Sequence, residues 1–129
     1  MGNFLYEIKN LQIKSTPKSG AIKILNNINF NINRGEILGL IGESGSGKSM
    51  LGCALLEMVP VGCLITKGFI IHHFNSNKRI SKIRGIHIAM ISQDPMQALN
   101  PLQKIKTQFA MILRRRFARN KKSIKEQLL

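Results

Sequence analysis

The sequence predicts an α/β fold in which an antiparallel β portion is followed by a strand, a glycine-rich loop and a helix. Two patterns carry this prediction. Before Asn33, apolar and polar residues alternate in two runs, and a period of two is typical of half-buried strands. The continuous apolar run from Ile37 to Ile41 then leads directly into glycines, and such runs are typical of strands buried on both faces of a parallel sheet.

The front of the chain is predicted to contain two strands before that buried one. Phe4 to Ile13 alternates loosely and stops at a cluster of turn-forming residues between Ser15 and Gly20. In the second run, from Ile22 to Ile32, most even positions are apolar and asparagines lie between them. Each run is therefore predicted to form a strand with one buried face.

Beyond the glycines, the apolar spacing changes. Lys48 to Met58 has apolar residues at helical spacing, and Pro60 ends the predicted helix. Gly68 to Phe74 predicts a strand, and Ile86 to Ile91 predicts a further buried strand. From Lys104 to about Arg119, apolar residues recur at steps of three and four, which predicts a helix with a basic outer face.

Composition and charge narrow the class of protein. The chain has 129 residues, 43% hydrophobic and 20% charged, which fits one globular domain rather than a disordered chain. Its two cysteines are too few for a disulfide framework. The formal net charge of +14 admits nucleic acid, anionic lipid or a polyanionic ligand as a partner. Most of this positive charge lies in residues 104–129, which contain nine basic residues and one acidic residue, Glu126.

Eight consecutive residues carry the clearest chemical signal. They follow a predicted buried strand, precede a predicted helix and match the pattern G-x-x-x-x-G-K-[ST] in full. Glycines let backbone N–H groups approach phosphate oxygens, and the helix N-terminus adds partial positive charge. Lys48 supplies a formal cation, and the Ser49 hydroxyl is suited to Mg²⁺. The predicted phosphate-binding residues are Gly42, Glu43, Ser44, Gly45, Ser46, Gly47, Lys48 and Ser49.

A second segment, from Ile91 to Pro101, contains Gln-Asp-Pro followed by Leu-Asn-Pro. Together with residues 42–49, it closely resembles the ATP-binding subunits of ABC transporters, within the branch that imports di- and oligopeptides or nickel. The resemblance runs from Phe4 to the end of the chain and covers the front half of a family domain. It implies a partial P-loop NTPase fold. Residues 1–102 would form the N-terminal part of the ATP-binding core, and residues 103–129 would start a basic helical subdomain.

By this resemblance, Gln93 is the Q-loop glutamine, whose amide would reach Mg²⁺ and the attacking water. The implied cofactors are ATP and Mg²⁺, with Ser49 and Gln93 on the metal. The family commonly stacks an aromatic residue on adenine, but residues 15–20 contain none, and Tyr6 is expected to pack in the core. The implied partners are membrane-spanning permease subunits and a second ATP-binding subunit. The expected location is peripheral, at the cytoplasmic face of the inner membrane.

The rest of the family machinery is not found in this sequence, which has no Leu-Ser-Gly-Gly-Gln signature, no Walker B strand ending in Asp-Glu and no later switch histidine. We therefore expect a truncated fragment that binds Mg-ATP to energise transport but does not hydrolyse ATP alone. Marginal stability is expected, because the predicted buried strands would lack neighbours.

Two other functions remain open. One is a non-catalytic nucleotide-binding remnant that acts through a partner. The other is a basic nucleic-acid-binding protein. Nucleic acid is not the expected partner, because Phe109 and Phe117 are the only aromatic residues in the basic segment and both lie on its apolar stripe, away from the charged face.

Overall fold

The computed structural model describes residues 4–16, 20–74 and 84–116, and the chain divides into two compact units, residues 1–81 and 82–129. No helix among the described residues is long and apolar enough to cross a membrane. The first unit contains β1 (Phe4–Ser15), β2 (Lys23–Asn33), α1 (Lys48–Leu55) and β3 (Cys63–His72). The second contains a 3₁₀ turn (Pro95–Ala98) and α2 (Ile105–Arg116).

The three strands form one antiparallel sheet in the order β2-β1-β3, so that β1 is the central strand. This confirms the antiparallel β portion predicted from the alternating pattern. β3 begins at Cys63, earlier than the predicted start at Gly68. The reason is that β1 continues to Ser15, whose backbone pairs with Cys63 and extends the ladder.

β1 keeps its apolar side chains on one face by means of a bulge. Tyr6 and Ile8 are buried at even positions, whereas Leu11 and Ile13 are buried at odd ones. Between these pairs, Asn10 adopts a left-handed φ of 50°, and three residues of β1 oppose two of β2. The extra residue shifts the alternation by one position and returns Leu11 to the buried face.

A second bulge lies in β2. Asn27 has a φ of 53°, and the register passes from Leu11–Ile28 to Ile13–Leu25, which places the extra residue in β2. The even-numbered alternation of the sequence therefore does not hold before Asn27. Leu25, an odd position, is the buried residue there.

The core lies between the sheet and α1. Its large side chains each contribute about 1.5–3 kcal/mol when fully buried. The Tyr6 hydroxyl donates to the Leu55 carbonyl oxygen at 3.0 Å, and its ring meets Phe74 edge-on with centroids 5.1 Å apart. The expectation that Tyr6 packs in the core is thus confirmed. The buried apolar residues are Tyr6, Ile8, Leu11, Ile13, Leu25, Leu51, Ala54 and Leu56.

One buried polar side chain ties the three strands together. Gln12 on β1 is buried; its Nε2 donates to Asn26 Oδ1 on β2 at 2.9 Å, and its Oε1 accepts from Thr66 Oγ1 on β3 at 2.9 Å. An unpaired buried amide would cost about 1–3 kcal/mol. With both ends of the amide paired, Gln12 fixes the register on either side of β1.

The two predicted buried strands, residues 37–41 and 86–91, are wrong. Neither segment is a strand: Ile37 and Ile41 are 97% and 98% exposed, and residues 85–87 form a turn beside a single bridge between Arg84 and Ile88. A run of hydrophobic residues favours burial, but a strand forms only when its backbone hydrogen-bonds to a neighbouring strand. Among the described residues, no strand pairs with either run.

Both predicted helices are present, with different ends. α1 stops at Leu55 rather than Met58, because Glu57 turns left-handed with a φ of 51° and Met58 N donates back to the Cys53 carbonyl oxygen at 2.8 Å. α2 begins at Ile105, close to the predicted Lys104, and is described as far as Arg116. The predicted continuation to Arg119, and Phe117 with it, lie outside the described residues.

Gly68 gives a test of the β1 bulge. Its φ is 74°, and a Cβ there would collide with the backbone carbonyl oxygens of Lys9 and Asn10. We expect Gly68→Ala to lower the free energy of unfolding by at least about 2 kcal/mol, because both backbones would have to move. Urea denaturation followed by circular dichroism measures the change. Gly39→Ala is the control, since a Cβ there meets nothing within 4 Å; equal losses in the two variants would contradict the bulge contact.

Tyr6 gives a test of burial in the core. It is the only tyrosine in the chain, so an absorbance titration of phenolate reports on this residue alone. Desolvation, with a smaller contribution from the Glu57 charge, raises the Tyr6 pKa from 10.0 to about 12. The folded state holds this proton more tightly than the unfolded state does. The stability that Tyr6 contributes is therefore complete below pH 10 and is lost as the pH rises towards 12.

We expect a phenolate transition near pH 12 in the folded chain. Tyr6→Phe should lose less stability between pH 10 and pH 12 than the wild-type chain does. A phenolate transition near pH 10 in a chain that is still folded would show instead that the Tyr6 hydroxyl is in contact with water.

Candidate functional site

The glycine-rich loop passes directly into α1. Within it, Ser46 N donates to the Glu43 carbonyl oxygen at 3.2 Å, which closes a tight turn. The first hydrogen bond of the helix runs from Leu51 N to the Gly47 carbonyl oxygen at 2.9 Å. The loop and the helix start therefore form one continuous structure over residues 42–49, as the sequence predicts.

Gly47 allows the loop to lie against β2. Its φ is 92°, and a Cβ at this position would stand 2.6 Å from Leu25 Cδ2 and 3.1 Å from the Ile24 carbonyl oxygen. Any other residue would push the helix start away from the strand. Sequence reasoning missed Leu25 as the support of the loop. The only local signal is that Leu25 breaks the even-numbered apolar pattern just before Asn26 and Asn27.

The Lys48 ammonium lies over the loop and is fully hydrogen-bonded by it. Nζ donates to the Gly42 carbonyl oxygen at 2.7 Å, to the Glu43 carbonyl oxygen at 2.6 Å and to Ser46 Oγ at 3.2 Å. An ammonium group has three protons, and these three acceptors use all of them. The positive charge is thus positioned at the loop by the loop's own acceptors.

The N-terminus of α1 adds donors beside this cation. The backbone N–H groups of Lys48, Ser49 and Met50 precede the first hydrogen bond of the helix, and no side chain caps them. No acidic residue occupies the first turn, so the partial positive charge of the helix end is not neutralised locally. Ammonium, backbone donors and helix dipole together suit a polyanion, and phosphate oxygens in particular.

ATP and Mg²⁺ can be tested against these residues. The donors of the loop are of the kind that phosphate oxygens accept, and the loop from Gly42 to Ser46 is exposed to solvent. Ser49 is also exposed and stands at the helix start next to Lys48. Its hydroxyl is the hard oxygen ligand that Mg²⁺ prefers. The residues present therefore fit a magnesium-bound phosphate chain.

Gln93 lies in the second unit, on the segment that enters the 3₁₀ turn. Ser92 Oγ donates to the Asp94 carbonyl oxygen at 3.0 Å, and Asp94 Oδ1 accepts from Met96 N at 3.1 Å. Gln93 is exposed between these two fixed residues, and its amide makes no hydrogen bond with the residues that the structure describes. The two predicted magnesium residues, Ser49 and Gln93, thus belong to different units.

Comparison with known proteins agrees with the motif. The model of the family "ABC transporter" matches residues 25–128. The oligopeptide transport ATP-binding protein OppD of Haemophilus influenzae is 38% identical over 116 residues, which is 86% of this chain and 36% of that protein. The probable D,D-dipeptide transport ATP-binding protein DdpD of Escherichia coli is 36% identical over 84% of this chain and 35% of its own length.

A third relative, OppD of Bacillus subtilis, is 34% identical over 84% of this chain and 32% of its own length. The chain spans about a third of the length of the curated relatives it matches. The phosphate-loop pattern, the helix that follows it and the family match over most of the chain lead to one assignment. The protein belongs to the ABC transporter family.

Proposed function

We propose that this chain binds ATP through residues 42–49, as part of the ATP-binding subunit of an ABC importer. The observation that carries the proposal is the position of the Lys48 ammonium within 2.7 Å of the Gly42 and Glu43 carbonyl oxygens, beside the unpaired N–H groups of α1. A cation and several backbone donors at one loop match the charge and the acceptors of a phosphate chain.

Binding would be an exchange of acceptors at Lys48. Its three protons are already bonded to the loop, so a phosphate oxygen has to replace at least one neutral acceptor. A charged acceptor gives a hydrogen bond roughly twice as strong as a neutral one, which favours the exchange. The carbonyl oxygens that are released are exposed and can bond to water.

Mg²⁺ belongs to the same proposal. The metal supplies charge neutralisation between neighbouring phosphate oxygens when it is bound. Ser49 would offer its hydroxyl oxygen to the metal, and Gln93 its amide oxygen. ATP hydrolysis is proposed to require partners, because a cradle for phosphate does not by itself activate water.

The transported substrate is proposed to be a peptide. The relatives that support this are named as transport proteins for oligopeptides and D,D-dipeptides, which favours peptides over nickel. Permease subunits and a second ATP-binding subunit are the proposed partners, and the proposed location is peripheral, at the cytoplasmic face of the membrane. We also propose that residues 1–102 form the N-terminal part of the ATP-binding core and that residues 103–129 start a basic helical subdomain.

Nucleotide affinity with Lys48→Ala tests the central claim. We expect the variant to lose at least about tenfold in affinity for Mg-ATP, because a hydrogen bond to a charged group contributes about 1.5–3 kcal/mol. Isothermal titration calorimetry with ATP, ADP and GTP measures the change. Lys23→Ala removes an exposed lysine from β2 and is the control. Unchanged ATP affinity in Lys48→Ala would contradict the proposal, and salt-sensitive polynucleotide binding in its place would favour the nucleic-acid alternative.

The dependence of affinity on Mg²⁺ tests the metal residues. We expect Ser49→Ala and Gln93→Ala to reduce the gain in ATP affinity that Mg²⁺ provides, and to leave ATP affinity in a chelator unchanged within about twofold. Gln103→Ala removes another exposed glutamine of the second unit and should change neither value. If Gln93→Ala behaves as Gln103→Ala does, Gln93 is not a metal residue.

A further inference from the structure

One serine of the glycine-rich loop, Ser46, has a side chain to which the phosphate-loop pattern gives no role. In G-x-x-x-x-G-K-[ST], Ser46 stands at the last unspecified position, directly before Gly47. In the structure, Ser46 Oγ accepts a hydrogen bond from Lys48 Nζ at 3.2 Å. The side chain is exposed, so a ligand at the loop can reach it. The hydroxyl therefore lies beside the ammonium that is proposed to meet the phosphate chain.

The loop itself holds Ser46 in this position. Ser46 N donates to the Glu43 carbonyl oxygen at 3.2 Å, and the same oxygen accepts from Lys48 Nζ at 2.6 Å. Gly42 leaves the space that the hydroxyl needs, because a Cβ on Gly42 would stand 2.8 Å from Ser46 Oγ. The hydroxyl and the ammonium are thus supported by the same two residues, Gly42 and Glu43.

Among the three groups that accept from Lys48, Ser46 differs in two respects. Its hydrogen bond is the longest, at 3.2 Å against 2.7 Å for the Gly42 carbonyl oxygen and 2.6 Å for the Glu43 carbonyl oxygen. A hydroxyl also has a proton of its own, whereas a carbonyl oxygen can only accept. A carbonyl oxygen that lost its ammonium proton to a phosphate oxygen would face a second acceptor, but a hydroxyl can turn and donate to that oxygen.

We propose that the Ser46 hydroxyl changes from acceptor to donor when a phosphate chain binds. A phosphate oxygen takes the place of Ser46 Oγ on the Lys48 ammonium, and the released hydroxyl donates its own proton to the same phosphate group. Ser46 is therefore the first of the three acceptors to give way. This inference rests on the proposed binding of a phosphate chain at residues 42–49, and it assigns the Ser46 contact to the phosphate group rather than to the nucleoside.

A role for Ser46 in the empty loop alone would have the opposite effect on affinity. If the hydroxyl only accepted from Lys48, water could fill its place after removal, because Ser46 is exposed. The phosphate chain would then have one acceptor fewer to displace, and affinity would stay the same or rise. If the hydroxyl donates to the bound phosphate, its removal lowers affinity. The sign of the change therefore separates the two roles.

Calorimetry on the full chain with Mg²⁺ and two ligands, ATP and inorganic tripolyphosphate, tests the proposal. We expect Ser46→Ala to lower both affinities about fivefold, because a hydrogen bond to a charged phosphate is lost together with the weaker acceptance from Lys48. Ser46→Thr keeps the hydroxyl and should bind within about twofold of the wild-type chain. Ser46→Cys keeps the size of the side chain but has only a weak donor, so it should lose nearly as much as Ser46→Ala.

Thr107→Ala removes an exposed hydroxyl from α2 and is the control; it should change both affinities by less than about twofold. Circular dichroism confirms that each variant is folded. Unchanged or higher affinity in Ser46→Ala would overturn the proposal, and so would equal losses in Ser46→Thr and Ser46→Ala. A loss for ATP without a loss for tripolyphosphate would overturn it as well, because the hydroxyl would then contact the nucleoside.

Lys48→Ala distinguishes a failure of this inference from a failure of the proposed function. If Lys48→Ala keeps its affinity for both ligands, phosphate binding at the loop is wrong, and the exchange at Ser46 is wrong with it. If Lys48→Ala loses affinity and Ser46→Ala does not, the loop binds phosphate and only the exchange at Ser46 is wrong.

Discussion

The geometry of the glycine-rich loop depends on how α1 packs against the three-stranded sheet. At one end of the helix, Gly47 lies so close to β2 that Leu25 leaves no room for a Cβ. At the other end, the Tyr6 hydroxyl binds the Leu55 carbonyl oxygen at 3.0 Å. These two contacts hold α1 at both ends, so the sheet positions the first N–H groups of the helix.

This packing depends on one extra residue in each of the strands β1 and β2. Asn27 bulges β2 and brings Leu25, rather than Ile24, to the buried face beneath the loop. Asn10 bulges β1 and returns Leu11 to the same face. Asparagine tolerates the left-handed backbone that each bulge requires. The position of the glycine-rich loop thus depends on two asparagines that lie in the strands, outside the loop itself.

Local sequence patterns predicted the local structure, whereas hydrogen-bond pairing between strands distant in sequence decided the rest of the fold. The two front strands and the start of α1 at Lys48 were predictable, because each depends on neighbours along the chain, whereas the bulges at Asn10 and Asn27 that shift the alternation were not. The loop motif was recognised from eight consecutive residues, whereas the support from Leu25 was not, because that contact joins residues distant in sequence. The run from Ile37 to Ile41 has the composition of a buried strand. A strand forms only when its backbone hydrogen-bonds to a neighbouring strand, and the composition of the run does not reveal whether such a neighbour exists.

The hydrogen bonds of Lys48 have a consequence for which anions the loop admits. Two carbonyl oxygens and one hydroxyl already occupy its three protons, so the lysine is not an open positive charge awaiting any counterion. Chloride or another small monoanion would have to displace these acceptors and would replace them with a single contact to the ammonium. A triphosphate can bond to the ammonium and to the helix N–H groups together. A ligand with several oxygens is therefore better suited to this loop than a single small anion is.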